Sequence, residues 1–141
     1  MSGSLGTPVS VDPATFAGVS NTTNRFLQAL DACDFEAVVD TFVSDGVWAI
    51  KERPEYRGRD GLARFWQNRS PKAVHRKHLL NGLCIVAAGP DTATVEVVIS
   101  ILDLNDGATI AAGNSTDRLR RCPDGVWRFV RKETGMVFKN L

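Results

Sequence analysis

Cysteine and histidine are scarce in this 141-residue chain, and their scarcity excludes a good deal. The three cysteines, Cys33, Cys84 and Cys122, share no metal-ligand spacing and cannot all pair. They read as reduced thiols of a cytoplasmic protein. The two histidines, His75 and His78, are spaced for one helical face rather than one strand face, and no further Cys, His or Asp cluster offers the remaining ligands. A metal site is not expected. An excess of charge is missing too: 17 Lys and Arg stand against 16 Asp and Glu, so there is no basic footprint for a nucleic acid. The run Arg118, Arg120, Arg121 reads as a solvated strand edge. No apolar run approaches the length that crosses a bilayer. The first eight residues lack the basic and apolar regions of a signal peptide, so residues 1–11 read as a flexible leader before one domain over residues 12–141. Internal repeats, a Gly-x-Ser-x-Gly elbow, a Gly-rich phosphate loop and a dinucleotide fingerprint are all absent, and no cofactor is implied.

What is present has a clear change of period. Asp12-Pro13 is a helix start, in which Asp caps free N–H groups and Pro suits the first helical position. Phe16, Val19, Thr23, Phe26, Leu27 and Leu30 then recur at helical spacing. Asp34 caps a second helix with Phe35, Val38, Val39 and Phe42 inside, and Ser44-Asp45-Gly46 stops it. Val47 to Ile50 reads as a short strand and Lys51 to Arg59 as a polar loop. Asp60 starts a third helix with Leu62, Phe65 and Trp66 inside, ended by Ser70-Pro71. Beyond it the pattern becomes extended: His75 to Ala87, Thr92 to Leu104, Thr109 to Arg121 and Val126 to Phe138, joined by the turns Gly89-Pro90-Asp91, Asn105-Asp106-Gly107 and Pro123-Asp124-Gly125. Helices followed by an antiparallel meander mean an α+β fold, with the helices packed on one face of a strongly twisted sheet. Such a sheet, wrapped around helices, makes a cone with an apolar pocket.

Two residues stand out for chemistry. Asp31 lies at the break between the first two helices, where a carboxylate commonly caps. His78 opens the first long strand and, by strict alternation, shares a face with Leu80, Cys84 and Val86, where a lone histidine is commonly a core residue. Taken together they can do more. A carboxylate bonded to one imidazole nitrogen fixes the tautomer and leaves the other nitrogen as a general base for an acidic proton. Cys84, mid-strand, reads as an inert buried thiol. Trp48, Tyr56, Phe65 and Trp66 are core by default, with Trp48 and Trp66 able to wall a pocket for a cyclic ligand.

The chain resembles the SnoaL-like group of the NTF2-like superfamily, whose members are cone-shaped α+β barrels. Ala29 to Val38 looks like that family's helix break, Asp45 to Ile50 like its first short strand, Tyr56 to Leu62 like the lead into its third helix, and Asp124 to Phe129 like the start of its last strand. The likeness covers residues 12–138, and it is the order and spacing of these loose motifs that make it specific for fold. Within the family the resemblance is to the branch of scytalone dehydratase, hexachlorocyclohexane dehydrochlorinase and bile-acid dehydratase. There, an Asp at the helix break orients a His at the start of the first long strand. Asp31 falls on the first position and His78, in Arg76-Lys77-His78-Leu79-Leu80, on the second. The resemblance implies that His78 abstracts a carbon-bound proton while the pocket assists a leaving group. The pocket is expected to draw on Trp48, Tyr56, Phe65, Trp66, Ile99, Ile101, Asn114, Thr116 and Met136, of which Asn114 and Thr116 match the family's polar pocket residues only in character. Leu30 replaces a family tyrosine, and Ile99 to Leu102 offers no second histidine. That departure points away from scytalone and toward an easier leaving group, isomerisation or cyclisation, as in polyketide cyclases and ketosteroid isomerases.

The expectation is a cofactor-free lyase, isomerase or cyclase acting on a small hydrophobic, cyclic substrate, forming a homodimer or homotrimer away from membranes and nucleic acids. The competing expectations are a non-catalytic partner like the β-subunit of an aromatic-ring-hydroxylating dioxygenase, and a plain small-molecule-binding module.

Overall fold

In the computed structural model, which describes residues 7 and 9–141, two helices lead into a curved sheet that carries a third helix at its edge. The rest of the expected leader, residues 1–6 and 8, lies outside the described residues. Val9 N–H donates to the Ile85 carbonyl, and Val11 packs on the core.

Helix α1, Pro13–Asp31, begins on Asp12, whose side chain accepts from Ala14 N–H at 2.8 Å. Its buried face is Val19, Thr22, Thr23, Phe26, Leu27, Ala29 and Leu30. The helix ends in a left-handed turn at Cys33, φ 54°. Cys33 N–H bonds to Leu30 O and Asp34 N–H to Ala29 O, the Schellman pairing that satisfies the last carbonyls. Such a conformation usually falls to glycine, so a Cβ here is held against its preference. Asp34 then caps α2, Phe35–Asp40, accepting from Ala37 N–H at 3.1 Å.

Helix α2 stops earlier than the apolar spacing predicts. The Thr41 hydroxyl donates to Val38 O at 2.7 Å, and Phe42 starts strand β1, Phe42–Ile50. Ser44-Asp45-Gly46 therefore lies inside a strand, at a break in its pairing register. The loop after it contains a two-residue strand, β2 (Tyr56–Arg57), paired antiparallel to β1. Helix α3, Gly58–Gln67, begins two residues before Asp60, because Gly58 at φ +64° turns the chain directly out of β2. Ser70 caps a short 3-10 turn, Pro71–His75, rather than ending the helix.

Four long strands follow: β3 (Arg76–Ala88), β4 (Thr92–Asp103), β5 (Thr109–Arg121) and β6 (Trp127–Lys139). The sheet order is β2-β1-β6-β5-β4-β3, antiparallel except where β1 runs parallel to β6, and the sheet stays open. Helix α1 lies along its concave face, with Phe26 at the centre. The Phe26 ring stands edge-on to Phe42, Trp48 and Phe129 at centroid distances of 5.9, 5.1 and 5.6 Å. Each such pair adds about 0.5–1.5 kcal/mol beyond area burial. This aromatic knot anchors α1 and with it the helix break that carries Asp31.

Two bulges control which residues face the concave side. In β3 the register slips between Leu80 and Gly82, so His78, Leu80, Leu83 and Ile85 pair with Ile101, Ile99, Val97 and Val95. Cys84, expected beside His78, pairs with Glu96 on the outer face instead. The physical reason is simple: one extra residue reverses the parity of everything after it. The β5–β6 pairing slips likewise between Arg118 and Leu119. Trp127 and Phe129 are buried before the slip, Lys132 and Thr134 after it.

Candidate active site

The helix break and the start of β3 bring Asp31 and His78 together. Oδ1 of Asp31 lies 2.7 Å from His78 Nδ1, and the two carboxylate oxygens accept the His78 backbone N–H at 3.0 and 3.2 Å. One carboxylate thus holds both the ring and the strand that carries it. A carboxylate only accepts, so Nδ1 carries a proton, and in the neutral ring the lone pair is then on Nε2. Both side chains retain 14 % of their exposure, sheltered but not sealed. His78 lines a cavity of about 220 Å³, and Asp31 stands behind it. His75, by contrast, is exposed on the 3-10 turn. Among the described residues no three His, Cys, Asp or Glu side chains gather as metal ligands.

Of the expected pocket residues, Trp48, Phe65, Ile99, Ile101 and Met136 line this cavity. Tyr56 is buried behind Phe65, 5.6 Å between ring centroids, and does not reach the lining. Trp66 turns away from it as well, against Phe35 at 5.5 Å. Asn114 and Thr116 are exposed on the convex side of β5, whose buried set is Ala111, Gly113, Ser115, Asp117 and Leu119. Arg118 and Arg120 mark the same parity as solvated, and that signal was available in the sequence.

The cavity also holds a polar cluster that sequence reasoning missed. Lys132 is buried in its wall, with Nζ 2.8 Å from Asp117 Oδ2 and 4.6 Å from the ring centroids of both Phe26 and Phe129. The other oxygen of Asp117 accepts the Ser115 hydroxyl, which lies 3.2 Å from Thr134 Oγ1. Thr134 in turn accepts from Trp48 Nε1 at 3.0 Å. An ammonium in such a setting is desolvated and paired with one carboxylate, and its charge can meet negative charge developing on a bound molecule. Strict alternation from Trp127 and Phe129 would aim Arg131 inward and Lys132 outward. Only the slip in register reverses this.

Surface ion pairs frame the site. Arg131 reaches the Glu55 carboxylate from β6 and pins the loop beside the cavity mouth. Its hydrogen bond and positive charge hold Glu55 below the usual carboxylate range. Arg59 does the same for Glu36 on α2, through two hydrogen bonds of 2.7 and 2.8 Å.

The SnoaL-like domain family matches residues 15–133, most of the chain, and the protein belongs to that family. No curated protein matches the sequence. Solved structures match its fold. A protein of unknown function with a cystatin-like fold from Nostoc punctiforme shares 19% identity at a TM-score of 0.81, over 91% of this chain and 95% of its own. A ketosteroid isomerase-like protein from Erwinia carotovora atroseptica shares 22% at 0.71, over 89% and 98%. Hexachlorocyclohexane dehydrochlorinase LinA-type3 from Novosphingobium barchaimii shares 18% at 0.74, over 90% and 89%. The expected α+β architecture, helices on a curved and mostly antiparallel sheet, is the fold of this SnoaL-like, NTF2-like member.

Proposed function

We propose that this SnoaL-like protein is a cofactor-free lyase or isomerase in which His78 removes a carbon-bound proton from a small, mostly apolar, cyclic substrate. The observation that carries the reading is the 2.7 Å contact between Asp31 and the Nδ1 of a histidine that lines the cavity. Asp31 holds the ring with Nε2 basic and stabilises the imidazolium that forms once the proton is taken. The electrons of the broken C–H bond then form a double bond to the neighbouring carbon. In elimination, that carbon releases its leaving group with the bonding pair. In isomerisation, the neighbouring carbon gives up its existing π bond, whose electrons move along the conjugated system, and the proton returns from His78 to the different carbon that receives them. Lys132, held by Asp117, is the cation that lowers the energy of the developing negative charge. No other imidazole lines the cavity to protonate a poor leaving group, so elimination here calls for a group that departs easily. A dehydrochlorinase and a ketosteroid isomerase-like protein among the structural neighbours fit the same class of chemistry.

The cavity size narrows the substrate. An engineered cavity of about 150 Å³ takes up benzene, so about 220 Å³ encloses one substituted ring rather than several fused ones. The test is a screen of single-ring β-elimination and isomerisation substrates, with His78→Ala as the comparison. Loss of general-base catalysis should lower the rate about 10²- to 10⁴-fold. A variant that kept full activity would show that His78 is not the base.

A further inference from the structure

The mouth of the cavity carries charge that the proton transfer does not use. Lys51, Arg53, Arg69, Arg76 and Lys139 are among its lining residues, against a single acidic side chain, Glu52. Among the described residues none of these five cations takes part in an ion pair, although Arg59, Arg121, Arg128 and Arg131 elsewhere all do. Arg76 is the sharpest case. Its Nε is enclosed by protein and has no hydrogen-bond acceptor. That enclosure leaves the two outer amino groups, Nη1 and Nη2, as the side of the guanidinium that Arg76 offers to the cavity, and no side chain among the described residues pairs with them. Arg69 is held in place, its guanidinium 4.2 Å above the Trp66 ring and one N–H donated to Leu30 O at 3.3 Å.

We propose that the substrate carries a carboxylate, received at the cavity mouth by Arg76 with Arg69 in support, on an apolar body of about one ring. The planar guanidinium fork matches two oxygens in a plane, which favours a carboxylate. Arg76 and His78 are alternate residues of β3, both lining the cavity. Their backbones lie roughly 6.6 Å apart along the strand, at about 3.3 Å per residue. A carboxylate on Arg76 therefore directs a carbon a few bonds away toward the imidazole, while the ring lies on Ile99, Ile101 and Trp48. The cationic mouth also attracts an anionic molecule before it enters. That arrangement makes Arg76 a specificity-determining residue for the reaction proposed above, and the substrate class rests on that reading.

Binding can be measured without turnover, which separates the two ideas. The probes are phenylacetate and its uncharged isostere phenylacetamide, titrated into wild type and into His78→Ala and followed by NMR. Phenylacetate should bind at least about tenfold more tightly in both proteins, the worth of one or more charge-assisted hydrogen bonds, and should shift the Arg76 guanidinium resonances. Arg76→Gln should bring the ratio near one. Arg76→Lys should keep part of the preference, and Arg69→Gln should lower it several-fold. Equal affinities in wild type, no binding of phenylacetate, or a preference unchanged in Arg69→Gln and Arg76→Lys would overturn the proposal, even if Arg76→Gln did not fold. Loss of the anion preference leaves the proton-transfer reading standing. An anion preference in a protein whose rate does not depend on His78 removes that reading and keeps this one.

Discussion

Asp31 and Asp117 make an instructive pair. Each presents a carboxylate to a nitrogen on the cavity wall, yet their settings are opposite. Asp117 is wholly buried and faces a permanent cation, Lys132, which is itself 4 % exposed. Asp31 keeps some contact with solvent and faces an imidazole that can gain and lose a proton. The deep pair is locked, because separating its charges in a desolvated site is costly. The shallow pair keeps contact with solvent, which moderates the cost of separating its charges. A site that abstracts a proton needs the second arrangement for the base and can use the first as a fixed electrostatic wall.

The contrast can be broken experimentally, beginning at its buried end. Asp117→Ala leaves an unpaired ammonium among Phe26 and Phe129, and should destabilise the protein by about 3–5 kcal/mol in denaturant unfolding. The double variant Asp117→Leu with Lys132→Met removes both charges and should recover most of that loss. If the single variant unfolded like wild type, the pair would not be the locked element described here.

Asp31→Asn should cost less stability and more function. The amide can still accept the His78 backbone N–H, so the expected loss of stability is about 1–2 kcal/mol. Its side chain can also donate, which permits the wrong imidazole tautomer, and turnover on a substrate from the elimination screen should fall by about 10²-fold or more. The ¹⁵N shifts of the His78 ring report the tautomer directly. Unchanged ring shifts would mean that Asp31 does not orient the imidazole.

The smallest effect belongs to a carboxylate at the surface. Arg131 holds Glu55 below its ordinary value of 4.5. Because folding lowers this pKa, the pair stabilises the fold fully above about pH 4.5, and that contribution is lost as the pH falls through the lower, folded value. Glu55→Gln should therefore lower the melting temperature slightly at neutral pH and not at all once the carboxyl is protonated. Thermal melts across the acid range check this, and a pH-independent difference would exclude the ion pair as its cause.

The two ends of the comparison were not equally readable. Asp31 could be singled out because a helix break is a local event. Asp34 caps the following helix, the apolar spacing of α1 ends at Leu30, and a carboxylate between them has nothing local to do. Asp117 and Lys132 could not be paired in the same way. They are joined across β5 and β6, and Lys132 faces inward only because the pairing slips by one residue. Asn114 and Thr116 were favoured for polar character, although Arg118 and Arg120 already marked their side of β5 as solvated. Arg76 is not legible in the sequence, since an arginine ahead of a histidine carries no local sign of being enclosed.

Local periodicity, capping residues and turn chemistry are written into short stretches of chain. They determined the three helices, the four long strands, the hairpins and the α+β order, and a family resemblance built on those stretches reached Asp31 and His78. The depth of each charge, the direction of Lys132, the outward turn of Cys84 and the enclosure of Arg76 were decided only in three dimensions. A one-residue bulge reverses side-chain parity without leaving a mark in the composition, and burial depends on partners far away in the chain.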